Sequence, residues 1–132
     1  MEKKLKHLDF LQLTITRMNV NSFLVKGWAV TIVAALCALS ATKGQPAFAG
    51  ITFAVVLIFW ILDGYYLSLE RQYRKLYDEV RTKSEDAIDF NMNASEYNHG
   101  TCSWLHSIFA FTLCFFYFTV CCLTIIAVII LN

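Results

Sequence analysis

At 132 residues, 58% of them hydrophobic and only 16% charged, and with a mean hydropathy of +0.53, the chain is too apolar for an ordinary soluble domain and reads as an integral membrane protein. Three spans consume most of that length and leave no room for a separate soluble unit, so residues 1–132 form one membrane domain. The net charge of +1 says nothing for or against an anionic partner; the information lies in where the charges sit.

Residues 1–22 open the chain as an amphipathic helix, with Leu8, Leu11, Ile15 and Met18 on one stripe and Lys4, Lys6, Asp9, Gln12, Arg17 and Asn19 mostly elsewhere. Phe10 and Leu13 broaden its apolar face, which suits burial on the inner membrane surface or against another helix. It makes a poor signal peptide, because polar residues interrupt the apolar ones and no small-residue cleavage site follows.

A first span is predicted over 23–42, with Lys26 near its start and small residues (Ala34, Ala35, Ala38, Ser40, Ala41) toward its far end. The connector Lys43-Gly44-Gln45-Pro46 is a tight turn, with Gly placed to close one helix and Pro to open the next. The second span, 47–67, then makes an antiparallel hairpin in which Lys26 and Asp63 lie at equal depth. An isolated charge at mid-membrane costs about 2.5 to 3.5 kcal/mol, so either a Lys26–Asp63 pair holds the inner end of the hairpin, or Lys26 snorkels to the headgroups and Asp63 is solvated near Gly64.

Residues 68–84 continue the second span as a charged helix beyond the bilayer. Tyr66, Leu69, Tyr73, Leu76 and Val80 follow a 3-4-3-4 spacing, a seam that suits either subunit packing or packing within the chain. Residues 85–102 read as a polar loop with at most one short turn, acidic at Glu85, Asp86, Asp89 and Glu96. Its Asn93-Ala94-Ser95 triplet matches a glycosylation acceptor only if the loop faces a lumen. The third span covers 103–131, longer than a perpendicular crossing needs, which implies tilt or a protruding end.

Of the eleven Lys and Arg residues, all but Lys43 precede the first span, lie at its start, or follow the second. The positive-inside rule therefore puts the N-terminus in the cytoplasm and the C-terminus outside. Trp28, Trp60 and Trp104 fall at the cytoplasmic ends of their spans, where indole rings prefer to sit, and give the same orientation independently.

No phosphate loop, HExxH or nucleophile-elbow motif is present, so no enzyme and no cofactor are expected. His7, His99 and His106 stand in separate segments, and the carboxylate pairs Asp78/Glu79 and Glu85/Asp86 are solvated. The five cysteines suggest neither a disulfide framework nor a metal site. The cluster Arg71, Arg74, Lys75, Arg81 and Lys83, interleaved with Tyr73 and Tyr77, has the make-up of an anion-binding surface. Four-residue spacing equally allows Glu70–Arg74, Lys75–Glu79 and Glu79–Lys83 to neutralise one another. In the aromatic-rich third span, Thr112, Phe115, Phe116 and Thr119 are candidates for a pore wall and an apolar gate, because narrow apolar constrictions close by dewetting. Ordinary packing is the alternative for the threonines.

The amphipathic first helix, the tight hairpin and the emergent segment Trp60-Ile61-Leu62-Asp63-Gly64-Tyr65-Tyr66, followed by Glu70-Arg71-Gln72-Tyr73-Arg74-Lys75-Leu76-Tyr77, resemble in layout the small bacterial membrane effectors of the SLATT type. The third span departs from the two-span pattern of that family. The resemblance implies a homo-oligomeric, channel-like protein of the bacterial inner membrane that permeabilises or depolarises it in anti-phage defence. The implied trigger is a nucleotide or oligonucleotide signal, or a soluble nucleotide-signalling partner protein. Two rivals are a non-conducting adaptor that recruits a soluble partner through the Tyr66–Val80 seam, and a holin-like lysis protein.

Overall fold

The computed structural model describes residues 1–131, and among them it is entirely helical. Helix α1 covers Glu2–Lys43 and α2 covers Ala47–Thr82; three single-turn 3-10 segments lead to a short α3, Trp104–Ile108, and to α4, Phe111–Leu131. Three of these helices, α1, α2 and α4, are long and apolar enough to cross a membrane.

The expected separation of a surface helix over 1–22 from a span over 23–42 gives way to one continuous α1 of 42 residues. Its buried side chains explain why. His7, Leu11, Ile15, Ser22, Val25, Ala29, Val33 and Ser40 recur at steps of three, four or seven, forming one unbroken line from end to end. The matching line on α2 runs through Thr52, Val56, Asp63, Gly64, Ser68, Gln72, Leu76 and Val80. With no proline to interrupt it, and with the same face in contact throughout, α1 has no reason to break. Its N-terminal half docks on the C-terminal half of α2. The hairpin closes at Gly44, whose positive φ of 58° lets its N–H reach back to the Ser40 carbonyl at 2.9 Å.

Two apolar clusters stabilise the hairpin. Within the spans, Ala29, Val33 and Val56 pack on Leu113, Tyr117 and Val120 of α4. Toward the N-terminus of α1, Leu11, Leu76 and Val80 are covered by Ala94, with Leu8, Tyr73, Tyr77, Ile88, Met92 and Tyr97 around them.

The third span also departs from expectation, as a helix broken at Phe109–Ala110 rather than a single run over 103–131. Neither residue is a conventional breaker. Tertiary contacts impose the break: the Trp60 indole donates to the Ile108 carbonyl at 2.8 Å, and Ile108 is seated directly against Gly64. A Cβ at Gly64 would stand 2.5 Å from Ile108 Cγ1 and 3.0 Å from its Cα. The 21 residues of α4 rise about 30 Å, the thickness of the hydrocarbon layer. The rest of the expected run lies in α3 and the break.

Residues 84–103 form a strap across the end of the hairpin opposite its turn, with three single-turn helices where at most one turn was expected. Three successive Asx turns stiffen it, as Asn91, Asn93 and Ser95 each donate a backbone N–H to the side chain two residues earlier. Glu85 anchors it by accepting the Lys3 N–H at 2.8 Å and the Lys4 N–H at 3.4 Å, beside the Met1 ammonium at 2.6 Å. A carboxylate at a helix N-terminus also opposes the helix dipole favourably. Chiefly through its bond to the α-amino group, the Glu85 carboxyl is held below its ordinary value.

Candidate functional site

The helix α2 carries two polar constellations, one where the three candidate spans pack together and one just beyond it. The inner one forms where α1, α2 and α4 meet. Lys26 Nζ stands 2.6 Å from Asp63 Oδ2, with the Asp63 side chain wholly buried and a quarter of the Lys26 side chain exposed. The Ser22 hydroxyl donates to Asp63 Oδ1 and accepts from Lys26 at 2.9 Å. The Tyr117 hydroxyl donates to Asp63 Oδ2 at 3.0 Å. Trp60 stacks on the Tyr117 ring with centroids 6.0 Å apart, and the Lys26 ammonium lies 5.8 Å from the centre of Phe116. Every oxygen of the carboxylate is therefore partnered, as a charge in low dielectric requires.

Sequence reasoning singled out Lys26 and Asp63, and the structure places them in contact. It missed Ser22 and Tyr117. Ser22 stands one helical turn before Lys26, and Tyr117 is the one tyrosine of the third span, a hydroxyl among phenylalanines. Each was a signal of a polar partner.

The outer constellation is a groove of about 370 Å³ between α2 and the strap, lined by Arg71, Arg74, Lys75, Asp78, Thr101, Cys102 and His106. Buried Ser68 and Gln72 fix its wall, donating to the Cys102 carbonyl at 2.6 and 3.4 Å, while Arg71 donates to the Thr101 carbonyl at 2.7 Å. Arg74 is forked onto Glu70 through bonds of 3.0 and 2.8 Å. Among the described residues neither Arg71 nor Lys75 forms an ion pair, so both bring uncompensated charge to the groove. The sequence-based set of five cations is divided by this geometry. Arg81 and Lys83 lie outside the groove, beside Asp78 at 3.7 Å and Glu79 at 3.2 Å. The suggested Lys75–Glu79 pair is not formed, while Glu70–Arg74 and Glu79–Lys83 are.

Of the Tyr66–Val80 seam, Leu76 and Val80 are buried by this chain's own α1 and strap, with Tyr66, Leu69 and Tyr73 half-buried. Of the gate candidates, Thr112, Phe115 and Thr119 lie on an exposed face of α4, and Thr119 bonds its own helix at the Phe115 carbonyl, 2.7 Å away. Phe116 turns inward and meets the Tyr117 ring edge-on at 5.0 Å. All five cysteines are free thiols. Comparison of the chain with protein-family models, curated proteins and solved structures finds no match in any of the three.

Proposed function

We propose that this chain is the subunit of a homo-oligomeric, channel-like effector of a bacterial inner membrane, with its N-terminus cytoplasmic and its C-terminus outside. It permeabilises the membrane in anti-phage defence when a nucleotide-type signal or a soluble partner engages its cytoplasmic helices. One observation carries this reading: a fully partnered Lys26–Asp63 pair sits at the junction of three apolar helices. Ionisable groups at such depth are costly and typically mark a path for ions or protons. In the resting subunit the pair is a latch that keeps α1 and α2 in register. Separating it leaves two charges that must find water, so opening the latch hydrates the bundle.

Because α2 is uninterrupted from Ala47 to Thr82, a displacement at its cytoplasmic half is carried to Asp63 without a hinge. The exposed α4 face with Thr112, Phe115 and Thr119 is the surface through which copies surround a path. The test is ion flux from liposomes holding purified protein. Wild type should stay tight until triggered, whereas Phe115→Ala should leak without a trigger. Liposomes that remain tight with every variant and in the presence of cyclic oligonucleotides would reject the effector reading in favour of a non-conducting adaptor.

A further inference from the structure

The depth of the cationic groove identifies a ligand class. Helix α4, with 21 residues, accounts for the hydrocarbon thickness by itself, at about 1.5 Å per residue, so the inner boundary of the hydrocarbon lies near Phe111. Helix α4 runs antiparallel to α2, and Tyr117 meets both the Phe59 carbonyl and Asp63. Ile108, three residues before Phe111, is seated against Gly64, so Phe111 is level with roughly residues 61–64 of α2. The Arg71 backbone then stands about 10 to 15 Å beyond the hydrocarbon, and its long side chain, leaning toward the N-terminal end of α2 as helical side chains do, carries the guanidinium back toward a headgroup layer about 5 to 8 Å deep. Trp104 lies at the same boundary, its indole N–H bonded to the Ile61 carbonyl at 3.1 Å and its ring half-exposed. Leu105 and Phe109, which flank His106, are 73% and 70% exposed.

We propose that the groove of Arg71, Arg74, Lys75 and His106 binds the phosphate of an anionic phospholipid of the inner leaflet, its acyl chains lying along Leu105 and Phe109. Arg71 uses one N–H on Thr101 and retains donors for a phosphate oxygen. Lys75 has three N–H donors and, among the described residues, no hydrogen-bond or ion-pair partner, and His106 also lines the groove with its imidazole. Asp78, also on the lip, is turned toward Arg81. The shared chemistry is a phosphate oxyanion, and a soluble phosphate offers it too. The groove's level in the bilayer and the apolar residues on α3 select the lipid, for a soluble anion has no use for exposed Leu105 and Phe109. This assignment rests on the membrane topology proposed above but not on channel activity, since lipid retention is read without any ion flux.

Native mass spectrometry of the full chain in detergent, with phosphatidylglycerol, phosphatidylcholine or inorganic pyrophosphate added, tests it. Wild type should retain phosphatidylglycerol in clear preference to phosphatidylcholine. Each cation near the membrane surface is worth about fivefold, so Lys75→Gln should cut that preference about fivefold and the Arg71→Gln/Lys75→Gln double variant about 25-fold. Arg81→Gln/Lys83→Gln should leave it unchanged. Lys75→Gln breaks no hydrogen bond or ion pair among the described residues, so it remains decisive if the double variant unfolds. Equal retention of the two lipids, or equal loss in the Arg81/Lys83 variant, would overturn the site. Displacement of the lipid by pyrophosphate would assign the groove to a soluble phosphate and overturn the lipid as its source.

Discussion

Removing either member of the Lys26–Asp63 pair should destabilise the hairpin, and by unequal amounts. Deleting one partner of a buried pair generally costs about 3 to 5 kcal/mol, mostly because the other charge is stranded. Here the two members differ in their escape routes. Asp63 is wholly buried, whereas Lys26 keeps a quarter of its side chain exposed and its stem can carry the ammonium outward. Lys26→Met strands a carboxylate that has only the Ser22 and Tyr117 hydroxyls, and should cost about 3 kcal/mol. Asp63→Asn leaves an ammonium able to reach the headgroups, and an amide that both hydroxyls can still bond, and should cost about 1 to 2 kcal/mol. In the double variant nothing charged is stranded, so its cost should fall below the sum of the singles by about 1.5 kcal/mol or more. The assay is reversible unfolding in mixed micelles of increasing SDS content. Additivity within about 0.5 kcal/mol, or a greater cost for Asp63→Asn than for Lys26→Met, would refute the latch.

Three further outcomes are expected. Gly64→Ala places a Cβ 2.5 Å from Ile108 Cγ1 and 3.0 Å from its Cα; because one of those atoms is backbone, it should destabilise by about 1 to 3 kcal/mol, and Ile108→Ala should fail to restore the loss in a melting experiment. Glu85 has a carboxyl lowered from the ordinary 4.5, so its anchoring of the strap is present above that pH and is lost as pH falls through the depressed folded value; amide exchange at Lys3 and Lys4 should accelerate over that window, and Glu85→Gln should abolish the pH dependence. Single cysteines replacing Gln45 and Glu96 in a cysteine-free background should label from opposite faces of the inner membrane, and labelling from one face would refute the topology.

The hairpin was legible because its signals are local and mutually consistent: Gly44 and Pro46 mark the turn, and equal spacing from it brings Lys26 and Asp63 to one depth. The aromatic span hid two facts. Nothing in Ser107-Ile108-Phe109-Ala110 announces a helix break, since the break is imposed from outside by the Trp60 indole and the glycine at 64. Tyr117 was likewise hidden, because its role depends on α4 descending beside α2 at a register that periodicity does not fix. The seam was visible as a pattern, while its occupant was not. A 3-4-3-4 stripe on α2 is satisfied equally by a second copy and by this chain's own α1, and it is the phase of the buried line through Leu11, Ile15 and Ser22 that sets α1 against Leu76 and Val80.

That same phase joins the two constellations. Beyond Asp63 and Gly64 the buried line of α2 continues through Ser68 and Gln72 at four-residue steps, and both of these bond the Cys102 carbonyl that forms the groove's wall. Gly64, adjacent to Asp63, is the seat of Ile108, the last residue of α3. The groove and the ion pair therefore share α3 as well as α2. A phosphate bound to Arg71, which is itself tied to the Thr101 carbonyl, cannot act on the groove alone: the strap, α3 and the Ile108 seat are linked to α2 through hydrogen bonds, and packed helices shift as units rather than deform. If the groove and the pair are coupled in this way, loss of the lipid phosphate should change the stability difference between wild type and Asp63→Asn, a reciprocity required of any two linked sites.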